Sequence, residues 1–255
     1  MSEPLLLASQ LSKNFGGIRA VDQANITVTK GRITGLIGPN GAGKSTLFNL
    51  LSNFITPDAG KVIFDGKSIE KLKPHKIAQR GCVRTFQVPR VLSRLSVLEN
   101  MLLAPQKQTG ENLVKIWFTQ GQIRQEERIN REKALAILSE VGLSAKANDY
   151  AGSLSGGQRK LLEMARAVMV QPKLILLDEP AAGVNPALIE EICEHIVNWN
   201  NQGISFLIIE HNMDVVMSLC EHIWVLAEGK NLADGTPAEI QSNSEVLEAY
   251  LGDIT

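Results

Sequence analysis

One run of residues, Gly38-Pro39-Asn40-Gly41-Ala42-Gly43-Lys44-Ser45-Thr46, satisfies the phosphate-binding loop pattern of Gly, four residues, then Gly-Lys-Ser/Thr. Glycines let backbone N–H groups curl around phosphate oxygens, and a helix starting at the loop's end offers them its positive dipole end. In that pattern Lys44 reaches the β- and γ-phosphates, and the Ser45 hydroxyl ligates Mg²⁺. Other residues carry groups suited to the same chemistry. The apolar run Leu174-Ile175-Leu176-Leu177 ends in Asp178 and Glu179. Asp178 suits Mg²⁺, directly or through water, and Glu179 suits a general base that polarises an attacking water. A second apolar run, Ser205-Phe206-Leu207-Ile208-Ile209-Glu210, ends in His211, whose imidazole can hydrogen-bond a γ-phosphate. Gln87, after Val83-Arg84-Thr85-Phe86, is a candidate for contact with Mg²⁺ or the attacking water.

A second anion-binding device is expected at Leu154-Ser155-Gly156-Gly157-Gln158, ahead of a helical run from Arg159 to Val170. Ser155 is a natural N-cap, and the two glycines leave N–H groups uncovered at a positive helix end. An ordinary capped helix needs Ser155; both glycines and Gln158 exceed that need. Phe15, in Asn14-Phe15-Gly16-Gly17, has two readings. It could stack on a nucleotide base, or, as the residues alone favour, fill the core of a hairpin.

These groups need a scaffold that gathers them. Arg32-Ile33-Thr34-Gly35-Leu36-Ile37 before the loop reads as a buried strand, and Thr46 to Leu51 after it as a helix. The runs ending at Asp178 and His211 read as further buried strands, and open parallel sheets gather ligands at the carboxyl ends of their strands. Leu5 to Lys30 alternates apolar and polar positions around the Gly16-Gly17 turn, as antiparallel strands do. Lys61 to Phe64 and Val83 to Gln87 read as short strands, and Pro74 opens a short helix from His75 to Gln79, with His75 a solvated helix-start residue. The middle of the chain is helical, over Ser96 to Ala104 and Ile123 to Val141, with a polar stretch from Pro105 to Gly110 between. Ala187 to Asn200 is a helix, and two short helices follow from Pro237 to Leu251. His195 and His222 are expected to be structural. The expected class is α/β, a phosphate-loop core with an N-terminal antiparallel subdomain and an inserted helical subdomain. Its parts are about 5–86 and 170–235 for the core and antiparallel subdomain, about 88–169 for the helical subdomain, and 236–255 for a helical tail.

Composition narrows the classes. Of the 255 residues 44% are hydrophobic and 21% charged, as in a globular chain with a sizeable core. A net charge of −1 argues against a dedicated nucleic-acid binder. No apolar run approaches the ~18 residues of a spanning helix, and Met1-Ser2-Glu3-Pro4 has no signal-peptide character. Cys82, Cys193 and Cys220 are scattered, which suits buried thiols in a reducing compartment. The expectation is a cytosolic protein that spans nothing itself.

The order and spacing of the phosphate loop, Gln87, Leu154-Ser155-Gly156-Gly157-Gln158, Asp178-Glu179 and His211 resemble the ATP-binding subunits of ABC transporters over nearly the whole chain. The resemblance implies a P-loop ATPase using ATP and Mg²⁺. Two such subunits, this chain with itself or with a paralogue, would face head to tail, with ATP between one subunit's phosphate loop and the other's Ser155, Gly156 and Gly157. It also reverses the reading of Phe15, which matches the aromatic that stacks on adenine. Within the family, Asn14-Phe15-Gly16-Gly17, Arg84-Thr85-Phe86-Gln87, Glu179 to Pro186 and Glu248-Ala249-Tyr250-Leu251-Gly252 resemble branched-chain amino acid importers. The polar insert from Pro105 to Arg128 is similar to the larger of that system's two ATPases. One departure is Asn185, where most members carry Asp. The resemblance implies integral membrane permease partners, whose coupling helix meets Gln87 and the segment to about Met101, and indirect dependence on a solute-binding protein. The place implied is the cytoplasmic face of the inner membrane. A urea or amide importer, a lipid exporter, and an ABC ATPase acting on ribosomes or DNA are the alternatives. The last usually has two nucleotide domains or long coiled coils, which this chain lacks.

Overall fold

The structure, a computed structural model, describes residues 3–106 and 120–251. The expectations that fall on 107–119 and on Gly252, most of the polar insert among them, lie outside the described residues. The chain divides into two compact units. One comprises Met1–Gln87, Lys173–Ala182 and Ile189–Thr255; the other comprises Val88–Pro172 and Gly183–Leu188.

The first unit holds two sheets. β1 (Pro4–Phe15) and β2 (Ile18–Thr29) form an antiparallel hairpin around Gly16-Gly17, with Leu6 opposite Val28 and Ala8 opposite Ile26. Alternation puts Leu6 and Ala8 of β1 and Ala24, Ile26 and Val28 of β2 inside, and a register shift between Ala8 and Leu11 brings Leu11 into the same cluster. β3 (Ile33–Ile37) leads to the phosphate loop, and β4 (Ala59–Phe64) and β5 (Lys67–Ser68) complete the first sheet in the order β2-β1-β4-β5. β6 (Cys82–Arg84), β7 (Leu174–Asp178), β8 (Ser205–Ile209), β9 (His222–Ala227) and β10 (Lys230–Gly235) build the second with β3, in the order β10-β9-β3-β8-β7-β6. All its pairs are parallel except β9 with β10. β3, β7 and β8 are buried at every residue, which is why they read as unbroken apolar runs. β6 stops at Arg84, three residues short of the expected end, so Gln87 lies on a loop.

α1 (Lys44–Leu51) follows the phosphate loop and buries Leu47, Phe48, Leu50 and Leu51. They share one apolar cluster with Leu6, Leu11 and Val62 of the antiparallel sheet and Leu36, Leu176 and Leu207 of the parallel one. Full burial of such a side chain contributes about 1.5–3 kcal/mol, so this helix is pinned between the sheets by packing. α2 (Pro74–Ala78) is a single turn that begins at its proline.

The second unit is helical among its described residues. α3 (Val97–Leu102), α4 (Gln120–Glu140) and α5 (Gly156–Met169) each contact the other two. Met101, Ala134, Leu138, Leu162 and Ala165 on these helices are fully buried. Asn100 is fully buried, and its side chain holds the turn before α3 through Leu92 and Ser96. Gly183–Leu188 groups with this unit, an excursion that the sequence did not signal. The chain then continues through α6 (Pro186–Asn201) and α7 (Met213–Leu219), and ends its described part with α8 (Pro237–Gln241) and α9 (Ser244–Leu251). Among the described residues no helix is long and apolar enough to cross a membrane.

Candidate nucleotide-binding site

The phosphate loop is shaped by what crowds it. Gly38 has φ +149, and a Cβ there would lie 2.0 Å from the Leu226 carbonyl oxygen. Gly43 has φ +93, and its Cβ would lie 2.3 Å from the Ala20 carbonyl oxygen. No L side chain fits either place, so the backbones of β2 and β9 dictate both glycines. Gly43 is also the N-cap of α1 and has no side chain to offer the first helical N–H groups, which leaves them to an anion. Lys44 is buried, and its Nζ donates to the carbonyls of Gly38 at 2.6 Å and Pro39 at 2.8 Å. A cation fixed beside a helix N-terminus, shielded from water, attracts phosphate strongly.

The parallel register brings the reactive side chains to the same edge. Asp178, the last residue of β7, is level with Ile209, the last of β8, so Glu179 and Glu210 leave the sheet side by side. Glu179 stands at φ +48, a left-handed conformation that costs a non-glycine residue about 1–2 kcal/mol. Its N–H donates to the Ile209 carbonyl at 3.0 Å. Both oxygens of its carboxylate are engaged: Oε1 lies 3.0 Å from Nε2 of His211, and Oε2 accepts from Nε2 of Gln87 at 2.7 Å. Gln87 is 92 residues away in sequence. A carboxylate oriented by two partners beside a phosphate cradle has the arrangement of a general base.

The loop opens on a cleft of about 580 Å³, lined by Asn40 to Thr46, Gln87, Glu179 and His211. That is a size suited to a small-molecule ligand. Ile18, Arg19, Ala20, Glu228 and Gly229 line it as well. Sequence reasoning missed these five. Gly229 is tied there by hydrogen bonds from Asp22 N to its carbonyl and from its N–H to the Ala42 carbonyl, and no local pattern announces such contacts.

Asp178 is not on the wall of this cleft. Its Oδ2 is 2.9 Å from Nη2 of Arg84, with both side chains nearly buried. Arg84 Nη1 also donates to Asn49 Oδ1 at 2.6 Å and Ser52 Oγ at 3.2 Å. Its guanidinium lies 4.8, 5.4 and 5.6 Å from the ring centroids of Phe48, Phe54 and Phe86. Among the described residues no three His, Cys, Asp or Glu side chains form a metal cluster. The Ser45 hydroxyl and Gln87 amide on the cleft wall still match Mg²⁺, which takes few protein oxygens and completes its octahedron with phosphates and water.

Phe15 is 47% exposed at the end of β1, with Lys13 Nζ 5.8 Å from its ring centroid. The hairpin-core reading therefore fails. Nor is Phe15 on the cleft wall, which its neighbours from Ile18 to Ala20 line. In the helical unit, Ser155 caps α5 as expected, and Gln158 proves to be part of the cap. Gln158 N donates to Ser155 Oγ at 3.2 Å, and Ser155 N donates to Gln158 Oε1 at 3.0 Å. This reciprocal pair is a capping box, which the Ser-x-x-Gln spacing alone could have revealed. Gln158 therefore has a structural reason to be where it is, and Gly156 remains the exposed residue of the helix start.

The model of the family described as ABC transporter matches residues 21–182, and that of the branched-chain amino acid ATP-binding cassette transporter matches residues 230–253. The chain is 45% identical to the probable branched-chain amino acid transport ATP-binding protein LivG of Archaeoglobus fulgidus, over 97% of this chain and 95% of the relative. It is 42% identical to the high-affinity branched-chain amino acid transport ATP-binding protein BraF of Pseudomonas aeruginosa, over 99% of this chain and all of the relative. Among solved structures, the ADP conformation of an ATP-binding cassette from an ABC transporter superposes with a TM-score of 0.84 at 40% identity. That match covers 98% of this chain and 100% of the other.

Proposed function

The chain belongs to the ABC transporter family, as an ATP-binding and ATP-hydrolysing cassette, and we propose that it powers a membrane importer of branched-chain or other neutral amino acids. The observation that carries the catalytic part is the Gln87–Glu179–His211 arrangement, with a 2.7 Å hydrogen bond from Gln87 and a 3.0 Å contact from His211 to the Glu179 carboxylate in the cleft of the phosphate loop. The amino acid part is supported by full-length likeness to two proteins named for branched-chain amino acid transport and by the C-terminal match at residues 230–253.

In this reading the N–H groups from Asn40 to Thr46 hold the phosphate oxygens, and Lys44 neutralises the β- and γ-phosphates. Phe15, exposed at its strand end, stacks on adenine. Glu179 takes a proton from the attacking water while His211 and Gln87 keep its carboxylate oriented. Ser45 and Gln87, with Asp178 acting through water, would hold Mg²⁺, which when bound would supply charge neutralisation on the phosphates. A second cassette, a copy or a paralogue, presents the start of its own α5, Ser155-Gly156-Gly157, to the γ-phosphate. Binding then closes the pair, and hydrolysis releases it. The permease subunits meet the segment after Gln87 on the cytoplasmic face of the inner membrane, and a solute-binding protein delivers the amino acid to them.

The test is Glu179→Gln. ATP binding should persist while turnover falls on the order of 10²- to 10⁴-fold, the usual worth of a general base, and a nucleotide-bound dimer should accumulate. Wild-type turnover in this variant would remove Glu179 from the mechanism.

A further inference from the structure

Glu210 is a buried carboxylate to which the mechanism gives no task. Glu210, between the end of β8 and His211, is only 3% exposed. It accepts three backbone hydrogen bonds. Oε1 takes the N–H of Ala181 at 2.6 Å, and Oε2 takes those of His211 at 3.0 Å and Asn212 at 3.2 Å. Among the described residues no Lys or Arg ion pair to it is found. A carboxylate that could sit in water has instead been placed where amide donors are its hydrogen-bond partners, and leaving such a group unsatisfied is costly.

The identity of the donors matters. Ala181 lies two residues after Glu179, in the turn closed by the hydrogen bond from Ala182 N to the Glu179 carbonyl. His211 and Asn212 belong to the turn after β8, and Asn212 caps α7. One side chain therefore ties the loop that carries the base to the loop that carries its imidazole partner. Glu179 itself holds a left-handed backbone, φ +48, which persists only where the surroundings enforce it.

We propose that Glu210 is a positioning residue of the hydrolytic centre, a carboxylate clamp that binds the backbone of Ala181 on one loop and of His211 and Asn212 on the other, and so holds Glu179 and His211 at hydrogen-bond distance. It touches no substrate. The proposal rests on the reading of Glu179 as the base given above.

Glu210→Gln tests it with almost no change of shape, because one amide end would set an NH₂ donor against a backbone N–H. On the purified full chain, kcat for ATP should fall on the order of 10- to 100-fold, as displacement of a catalytic group does. KM and nucleotide affinity should stay within about threefold, since uniform binding is untouched. Val62→Ala, buried in the antiparallel sheet, serves as the stability control and should keep wild-type kcat even where its Tm falls as far. A Glu210→Gln kcat within about twofold of wild type, or an equal loss in the control, overturns the proposal. Glu179→Gln measured alongside separates the two ideas. If it keeps turnover, the base assignment has failed and the clamp with it; if it is inactive while Glu210→Gln is normal, only the clamp is lost. Hydrogen exchange in the wild type needs no variant: the amides of Ala181, His211 and Asn212 should exchange at least about tenfold more slowly than unbonded loop amides. Fast exchange at all three contradicts the clamp.

Discussion

Replacing Arg84 by Met should be among the most damaging single changes in the protein, although Arg84 is not on the cleft wall. The guanidinium pairs with Asp178 at 2.9 Å, where the two side chains are 9% and 12% exposed. Methionine keeps most of the contact with Phe48, Phe54 and Phe86 but leaves the Asp178 carboxylate without its cation. Breaking a buried ion pair from one side costs about 3–5 kcal/mol. The lost hydrogen bonds to Asn49 and Ser52 are a smaller matter, because Ser52 Oγ keeps its 2.7 Å bond to the Phe48 carbonyl. For a chain of this size each kcal/mol lowers Tm by roughly 2–4 °C. Arg84→Met should therefore lose roughly 6–20 °C in thermal unfolding. A second change, Asp178→Asn, removes the stranded charge. The double variant should recover roughly 1–3 kcal/mol of the loss, as residues in direct contact are coupled by that order. A stability loss under about 1 kcal/mol in Arg84→Met, or strictly additive losses in the double variant, would refute the argument that this pair matters through its burial.

Other outcomes follow from the same geometry. Phe15→Ala should change stability by less than about 0.5 kcal/mol, because the ring is half exposed. It should weaken ATP binding by about 1–3 kcal/mol, the worth of a base stacked on an aromatic ring, which titration calorimetry can measure. Gly38→Ala should abolish nucleotide binding or folding, since its Cβ would meet a backbone oxygen at 2.0 Å; unchanged ATP affinity would contradict that loop geometry. The Cys82 and Cys220 thiols are pushed up to about 12 by burial. Iodoacetamide at pH 8 should therefore modify half-buried Cys193 first, with the other two reacting only on unfolding, as peptide mapping would show.

The sequence exposed the parts of the site whose chemistry is local. The glycine spacing from Gly38 to Gly43, the lysine after it, and apolar runs ending in Asp178-Glu179 and Glu210-His211 announced a phosphate loop and neighbouring strand ends, because short buried strands and helix starts write themselves into adjacent residues. Contacts across long separations were not legible. The Arg84–Asp178 pair spans 94 residues, and the hydrogen bond between Asn25 N and Asn231 Oδ1 spans 206. No pattern in either stretch names the other. Phe15 was ambiguous because a ring beside Gly16-Gly17 fits either a core or a surface, and only burial decides. Gln158 shows the converse: its capping-box spacing was present locally, and the reading drawn from the two neighbouring glycines passed over that structural role.

If hydrolysis in this cleft drives amino acid entry, uptake must depend on Glu179. Cells lacking the chain should be given back either the wild type or Glu179→Gln, and uptake of labelled leucine, other neutral amino acids and urea then followed. The wild type should restore leucine uptake, Glu179→Gln should not, and urea uptake should be the same throughout. Leucine uptake that is unaffected by loss of the chain, or fully restored by Glu179→Gln, would contradict that dependence.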